Sequence, residues 1–189
     1  PGPPPAPGSP EFNTAANELK DIQKNLTKEQ RAIANYYADG IGTYSPPGHW
    51  NRIAVEKIVA ARLSPVRAAR ILAYMNYAIM DGGISCWDTK YYYHYPRPSQ
   101  AIPGFKTILG IPNFPAYTSG HSTFSSAAGT VLAHFFPAST AEFEAITKEA
   151  SLSRLYGGIH YRFDSEVGVN SGKLIAGYSV NRAKLDNAE

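Results

Sequence analysis

Apolar residues recur at intervals of three and four along most of the chain, which is the spacing of one buried face of an α-helix. The first such stretch covers residues 14–26, and a second begins at Thr27. The segment Thr27-Lys-Glu-Gln30 has the form of a capping box, in which two side chains satisfy free backbone amides. We expect this second helix to end near Asp39-Gly40, and residues 40–48, which are rich in Gly, Ser and Pro, to form a loop.

A third helical pattern covers residues 50–63, and Ser64-Pro65 then supplies an N-cap followed by proline in the first helical turn. The helix from Pro65 carries apolar residues nearly all round, so we expect it to be the central and most buried one. The pattern leaves open whether this helix continues through Gly82-Gly83 as far as Trp87, because glycine weakens a helix without excluding it.

Residues 98–118 contain many Pro, Gly and Asn residues and predict a long irregular loop. Thr118 or Ser119 then caps a helix that ends before Pro137. Two further amphipathic helices are predicted, one over residues 140–156 and one over residues 164–184. Alternating runs of the kind that form strands are almost absent, so the pattern predicts an all-α helical bundle.

Composition narrows the class of protein. The chain has 189 residues, which is enough for one domain with a substantial core. Lys and Arg number 18 against 15 Asp and Glu, and no basic stripe stands out, which argues against a nucleic-acid partner. Cys86 is the only cysteine, so no internal disulfide forms. No apolar run has the length of a membrane span, and the N-terminus lacks the features of a signal peptide.

The N-terminal residues differ from the rest of the chain. Residues 1–11 are dominated by proline and predict an extended linker, which leaves residues 12–189 as one domain. The chain begins with Pro1 rather than Met. We therefore expect it to be the C-terminal part of a longer protein, joined by this linker to a further N-terminal domain.

Three short segments concentrate residue types suited to binding a tetrahedral oxyanion. They supply cations, a hydroxyl, two histidines and a helix start. Guanidinium groups hold anionic oxygens through a planar fork, and a helix N-terminus offers free amides and the positive end of the helix dipole. The segments are Lys90 with Arg97, then Ser119-Gly120-His121, then Arg154 with His160 and Asp164.

Each segment alone has an ordinary explanation. An isolated lysine or arginine is most often a solvated surface charge, and Ser119 would often be a helix cap followed by a surface histidine. His160 and Asp164 share a face if their segment is helical, and the carboxylate would then fix the tautomer of the ring. Such a pair is more often a surface ion pair. Only the presence of all three segments in one chain favours an oxyanion site.

In order and spacing, the three segments resemble the signature motifs of one superfamily. It joins the vanadium-dependent haloperoxidases to the acid phosphatases and the type 2 phosphatidic acid phosphatases. The resemblance covers nearly all of residues 12–182 and is closest to the haloperoxidase branch. It implies an all-α bundle of the acid phosphatase and vanadium haloperoxidase type.

Several residues outside the motifs carry the likeness to haloperoxidases. Trp87 resembles a tryptophan that lines the vanadate pocket in that branch, and Phe114-Pro-Ala-Tyr resembles its approach to the second motif. The segment around Asp39 is also similar, and by that likeness Asp39 would pair with Arg154. Thr118 departs from the family, which usually has proline at this position.

The resemblance also implies a role for each motif residue. His160 would bond the vanadium of a bound vanadate, or attack phosphorus to give a phosphohistidine, and His121 would serve as general acid and base. Asp164 would support His160. The oxygens of the anion would be held by Lys90, Arg97, Ser119, the Gly120 amide and Arg154.

Three functions fit these residues. The leading hypothesis is a vanadium-dependent haloperoxidase-type enzyme with vanadate as cofactor, oxidising halide with hydrogen peroxide. The alternative is a soluble acid phosphatase that hydrolyses phosphomonoesters at the same site without a cofactor. The third is a noncatalytic oxyanion-binding fragment, against which the presence of both His121 and His160 argues. The family resemblance favours an extracytoplasmic location and small-molecule substrates.

Overall fold

The protein is a bundle of helices. A computed structural model describes residues 1–186 and 188, and within these residues the backbone forms eight α-helices, one 3₁₀ turn and no strand. The predicted all-α class is confirmed. The 3₁₀ turn is Pro137–Ser139, and the helices are α1 (Pro10–Lys24), α2 (Lys28–Tyr36), α3 (Ser45–Ala60), α4 (Pro65–Tyr93), α5 (Pro98–Ala101), α6 (Gly120–Phe135), α7 (Thr140–Tyr156) and α8 (Arg162–Leu185).

Capping side chains place the helix starts. The capping box predicted at Thr27 is present, with Thr27 Oγ1 accepting from the Gln30 amide at 3.1 Å and Gln30 Oε1 accepting from the Thr27 amide at 3.0 Å. Ser64 caps α4, as predicted, by accepting from the Arg67 amide at 3.4 Å. The first helix begins four residues earlier than predicted, because Ser9 caps it and Pro10 opens its first turn.

Helix α4 is continuous through Gly82-Gly83, which settles the question that the sequence pattern left open. The two glycines allow α6 to lie close. A Cβ on Gly83 would lie 3.0 Å from Cε1 of Phe124, and one on Gly82 would lie 3.3 Å from Cγ2 of Thr123. Side chains at these positions would push the two helices apart.

Helix α6, and not α4 as predicted, lies at the centre of the bundle and contacts α3, α4, α7 and α8. Most residues of α6 are buried, whereas most residues of α4 are not. The approach of α6 to α8 depends on Gly172, because a Cβ there would lie 2.3 Å from the carbonyl oxygen of Thr123. The main core is almost entirely apolar. Its fully buried members include Ala54, Met75, Ala127, Val131, Leu132, Phe143 and Ala176.

A second, more aromatic cluster joins α1 to the segment that connects α4 with α6. That segment is irregular, as predicted, apart from the single turn of α5. Its end is fixed by two backbone hydrogen bonds of 2.9 Å, from the Ala116 amide to Tyr95 O and from the Ser119 amide to Asp164 O. The buried members of the cluster are Phe12, Ala15, Ala16, Leu19, Tyr95, Ile102, Ala116, Tyr117, Leu155 and Tyr161.

The Pro-rich N-terminus lies against this aromatic cluster. Tyr95 Oη donates to Pro5 O at 2.6 Å, and Tyr117 Oη donates to Gly2 O at 2.8 Å. The boundary predicted for the linker, residues 1–11, is wrong at its C-terminal end, because Pro10 and Glu11 already belong to α1. Across residues 1–186 and 188, no helix has both the length and the apolar character needed to cross a membrane.

Candidate active site

The site lies where the N-terminus of α6 meets the ends of α4 and α7 and the start of α8. Lys90, in the last turn of α4, is fully buried. Its Nζ donates to the carbonyl oxygens of Pro115 and Ala116, each at 2.8 Å. Burial, with a smaller contribution from the charge of Arg97, lowers the pKa of Lys90 to about 8, although Cys86 and Asp164 oppose the shift.

Arg97 lies just before α5 and is 1% exposed. Its Nε and Nη2 donate to Phe114 O at 3.1 Å, and its Nη1 donates to Ile159 O at 2.7 Å. The same Nη1 lies 3.0 Å from Nε2 of His160. Burial lowers the pKa of Arg97 to about 10, so the group remains a cation at neutral pH.

Trp87 and Phe114 form an aromatic wall beside these cations. Their ring centroids are 5.0 Å apart, and Nζ of Lys90 lies 5.3 Å from the Phe114 centroid and 5.8 Å from the Trp87 ring. The Trp87 ring also packs on the start of α6, since a Cβ on Gly120 would lie 3.3 Å from its Cζ3. The wall limits access of water to the cations, which strengthens their interaction with an anion.

Ser119 is the N-cap of α6 and is fully buried. Its Oγ accepts from the Ser122 amide at 3.3 Å, and the Gly120 amide follows in the first turn of the helix. The first amides of a helix have no partner inside it and attract anions. The Tyr117–Thr118 peptide bond that precedes the cap is cis.

Arg154 occupies the last turn of α7. Its Nε donates to Ser153 Oγ at 2.8 Å, and its Nη2 donates to the carbonyl oxygen of Tyr37 and, at 3.5 Å, to that of Ala34. Burial lowers the pKa of Arg154 to about 9. The pair expected between Asp39 and Arg154 is not formed, because backbone carbonyls at the end of α2 take the guanidinium.

Asp39 instead lies between two histidines. Its Oδ2 is 3.2 Å from Nδ1 of His49 and 3.5 Å from Nε2 of His121. Burial alone would raise the pKa of Asp39, but hydrogen bonds and charge from these two rings outweigh it and hold the pKa well below its usual range. His49 also contacts Tyr36, with 3.2 Å between Nε2 and Oη. His49 was not predicted from the sequence. The one available signal was its position two residues after Pro47, in the segment that resembles the haloperoxidases.

His121 is held more loosely. Its buried Nε2 lies 3.5 Å from Asp39 Oδ2, which is too far for a good hydrogen bond. Burial, followed by the charge of Arg154, lowers the pKa of His121 to about 4. The ring is therefore neutral at neutral pH unless an anion binds beside it and raises the pKa.

His160 has a partner at each ring nitrogen. Nδ1 lies 2.9 Å from Asp164 Oδ2, which also accepts from the Tyr161 amide at 3.2 Å, and Nε2 faces Arg97. The pair was expected on one helix face, but α8 begins at Arg162, so His160 lies in the turn before the helix and Asp164 closes that turn. The predicted contact between His160 and Asp164 is present, but it forms across a turn and not along one face of a helix.

This arrangement fixes the state of the ring. The carboxylate holds the proton on Nδ1, so Nε2 carries a lone pair, which accepts from Arg97 Nη1 at 3.0 Å. Burial, followed by the charges of Arg97, Lys90 and Arg154, keeps the pKa of His160 well below its usual range, so the ring is neutral. Burial also raises the pKa of Asp164, although Lys90 and Arg97 oppose that shift.

The charges of the site fit a multiply charged oxyanion. Lys90, Arg97 and Arg154 are buried together around His160, and the acidic groups that interact with the first two are the Asp164 carboxyl and the Cys86 thiol. Burying unpaired cations is costly, and an anion offsets that cost. Across residues 1–186 and 188, no group of three or more His, Cys, Asp or Glu side chains is arranged to hold a metal cation. The residues therefore suit phosphate or vanadate rather than a bare metal ion.

The family follows from comparison with known proteins. The model of the PAP2 superfamily matches residues 70–185, which include all three motifs. The chain belongs to the PAP2 superfamily. The resemblance proposed from the motifs is thereby confirmed. A search of curated proteins finds no match.

Solved structures with the same fold include two bacterial vanadium-dependent peroxidases and LpxE. A bacterial vanadium-dependent iodoperoxidase is 31% identical over 96% of this chain and 52% of its own, with a TM-score of 0.87. A bacterial vanadium-dependent chloroperoxidase is 18% identical over 92% and 50%, with a TM-score of 0.73. LpxE of Aquifex aeolicus is 18% identical over 87% and 93%, with a TM-score of 0.67. The chain thus spans about half the length of the peroxidases that it matches.

Proposed function

We propose that this PAP2 protein is a vanadium-dependent haloperoxidase-type enzyme, which binds vanadate and oxidises halide with hydrogen peroxide. The observation that carries the proposal is the 31% identity to a vanadium-dependent iodoperoxidase over 96% of the chain. Support comes from the aromatic wall of Trp87 and Phe114 beside Lys90. The proposal assigns the catalytic domain to residues 12–189.

The buried cations and the start of α6 would hold the anion. Lys90, Arg97 and Arg154 would neutralise its oxygens, and the Ser119 hydroxyl and Gly120 amide would donate to them. His160 would bind through Nε2, which Asp164 keeps free of a proton. When bound, vanadate supplies a Lewis-acidic centre that activates peroxide.

His121 would move protons in this reaction. Its ring is partly buried near Asp39, and a bound anion would raise its pKa toward neutrality, where a general acid and base works best. Asp39 would then stabilise the protonated ring, as an anion 3.5 Å away. The aromatic wall would exclude bulk water from the anion.

Acid phosphatase activity is the second candidate, favoured by one observation: Nε2 of His160 is a neutral nucleophile among three cations. In that reaction Nε2 would attack phosphorus, forming a P–N bond as the ester P–O bond breaks. His121 would protonate the leaving alkoxide, and water would later cleave the phosphohistidine. No cofactor is required.

A parallel assay separates the candidates. The purified protein is tested for nitrophenyl phosphate hydrolysis without vanadate, and for peroxide-dependent iodide and bromide oxidation after vanadate loading. Halide oxidation that rises with vanadate occupancy supports the haloperoxidase. Efficient hydrolysis inhibited by vanadate, with no halide oxidation, would make the protein a phosphatase. Oxyanion binding with neither activity would indicate a binding module.

A further inference from the structure

Three buried serine hydroxyls form a chain that leads away from the candidate site. Ser122 Oγ lies 3.0 Å from Ser119 Oγ, and Ser151 Oγ lies 2.9 Å from Ser122 Oγ. Ser119 and Ser122 are fully buried, and Ser151 is 9% exposed. The chain therefore connects the N-cap of α6 with α7.

The direction of the hydrogen bonds follows from counting protons. Each hydroxyl has one proton and two lone pairs. Ser122 donates its proton to Ser119, so in the pair between Ser122 and Ser151 the donor is Ser151. Ser119 Oγ also accepts from the Ser122 amide, which fills its second lone pair. Ser119 can then meet an anion only as a donor.

The outer end of the chain opens to solvent. Ser151 lines a groove of about 810 Å³ between α6, α7 and α8. Water in this groove would have access to Ser151 but not to Ser119. A chain of hydrogen bonds that all point one way is polarised, which strengthens the last donor. The last donor here is the hydroxyl at the anion site.

We propose that Ser122 and Ser151 are positioning residues that hold the Ser119 hydroxyl as a strengthened donor to the bound oxyanion. The inference rests on the proposed function, since it concerns the same anion. It applies to vanadate and phosphate alike. Ser151, one turn before Arg154 on α7, is thereby part of anion recognition.

Isothermal titration with inorganic phosphate and with orthovanadate tests the chain through a double-mutant cycle. Ser151→Ala should weaken binding by about threefold, less than the loss of a whole hydrogen bond, because it removes only the polarisation of the Ser119 donor. In a Ser119→Ala background, Ser151→Ala should have almost no further effect, because the donor that it supports is gone. Ser151→Thr retains the hydroxyl and should bind like the unmodified protein.

Ser126→Ala is the matched control, because that buried hydroxyl of α6 donates only to the carbonyl oxygens of Ser122 and Thr123. It should leave the affinity within about twofold, below the effect of one hydrogen bond. Equal weakening by Ser151→Ala in both backgrounds, or weakening by Ser151→Thr, would overturn the inference. Circular dichroism checks that each variant is folded.

The titration tests the serine chain and the activity assays test the proposed function, so each proposal can be refuted without the other. Coupled binding without halide oxidation or hydrolysis would refute the proposed function and leave the serine chain supported. Full activity with additive binding effects would refute only the serine chain. A protein that binds neither anion would overturn both.

Discussion

The two histidines of the site each lie beside a carboxylate, but His160 is buried, whereas the side chain of His121 is 16% exposed. His160 has partners on both ring nitrogens, at 2.9 Å from Asp164 and 3.0 Å from Arg97. His121 lies 3.5 Å from Asp39, which also binds His49. A group that must bond the central atom benefits from a fixed position, whereas a group that moves protons needs freedom to follow them. The difference supports a bonding role for His160 and a proton-transfer role for His121.

The largest effect is expected from His160→Ala. Removing the group proposed to bond the central atom should lower either activity by at least about a thousandfold. The helical circular dichroism should be unchanged, because His160 lies in a turn. Appreciable turnover by a folded variant would remove His160 from the mechanism.

The two carboxylates offer a direct comparison of the histidines. Asp164→Asn should lower kcat by about a hundredfold, since an amide no longer fixes the proton on Nδ1 of His160. Asp39→Asn should lower kcat by only about tenfold, because His121 is loosely held. Asp39 raises the pKa of His121. The loss of its charge should therefore also shift the part of the kcat–pH profile that reports the titration of His121 to lower pH.

Rate measurements across pH on both variants test this comparison. Equal losses, or a larger loss for Asp39→Asn, would contradict the contrast between a fixed and a mobile histidine. A shift of this part of the profile toward higher pH in Asp39→Asn would contradict the placement of Asp39 beside His121.

The pH dependence of anion binding tests the cation side of the site. Lys90 must be charged to bind an anion, and its pKa in the free protein is about 8. Affinity should therefore be full below pH 8 and fall as pH rises, by about tenfold from pH 7 to pH 9. Sulfate is a suitable probe because it does not titrate in this range. In Lys90→Arg this fall should move to higher pH, and an identical profile would exclude Lys90 as its cause.

The smallest effect is expected at His49, which touches Asp39 but not the anion. His49→Gln keeps a polar group near Asp39 and should change kcat by about threefold or less. His49→Phe removes a hydrogen-bond donor from the buried Asp39 carboxylate and should lower kcat by about tenfold. Steady-state kinetics of the two variants measure the difference. Equal activity in both would show that the contact between His49 and Asp39 does not orient His121.

The two histidine–carboxylate pairs, His160 with Asp164 and His121 with Asp39, differ in how far they could be predicted from sequence. The Asp164 side follows from local spacing, because a residue three positions into a helix reaches back to the turn before it, and both residues of the pair were identified. The Asp39 side depends on how the end of α2 meets α3 and α6. The partner of Asp39 was therefore predicted wrongly, and His49 was missed.

The fold shows the same division. Caps at Thr27 and Ser64 were predictable because each acts within four residues of sequence. Helix α4 continues through Gly82-Gly83, where it packs closely against α6, and no local pattern describes that packing. Ser122 and Ser151 were missed for the same reason, since 29 residues separate them in sequence.

The central claim is that one buried anion site, with His160 at its centre, supports halide oxidation. Its most direct test is the rate of peroxide-dependent iodide oxidation at increasing vanadate occupancy, with occupancy measured by titration on the same sample. The account predicts a rate proportional to occupancy in the unmodified protein and no rate in His160→Ala at any vanadate concentration. Vanadate binding at full occupancy without iodide oxidation, together with phosphate ester hydrolysis in its absence, would contradict it.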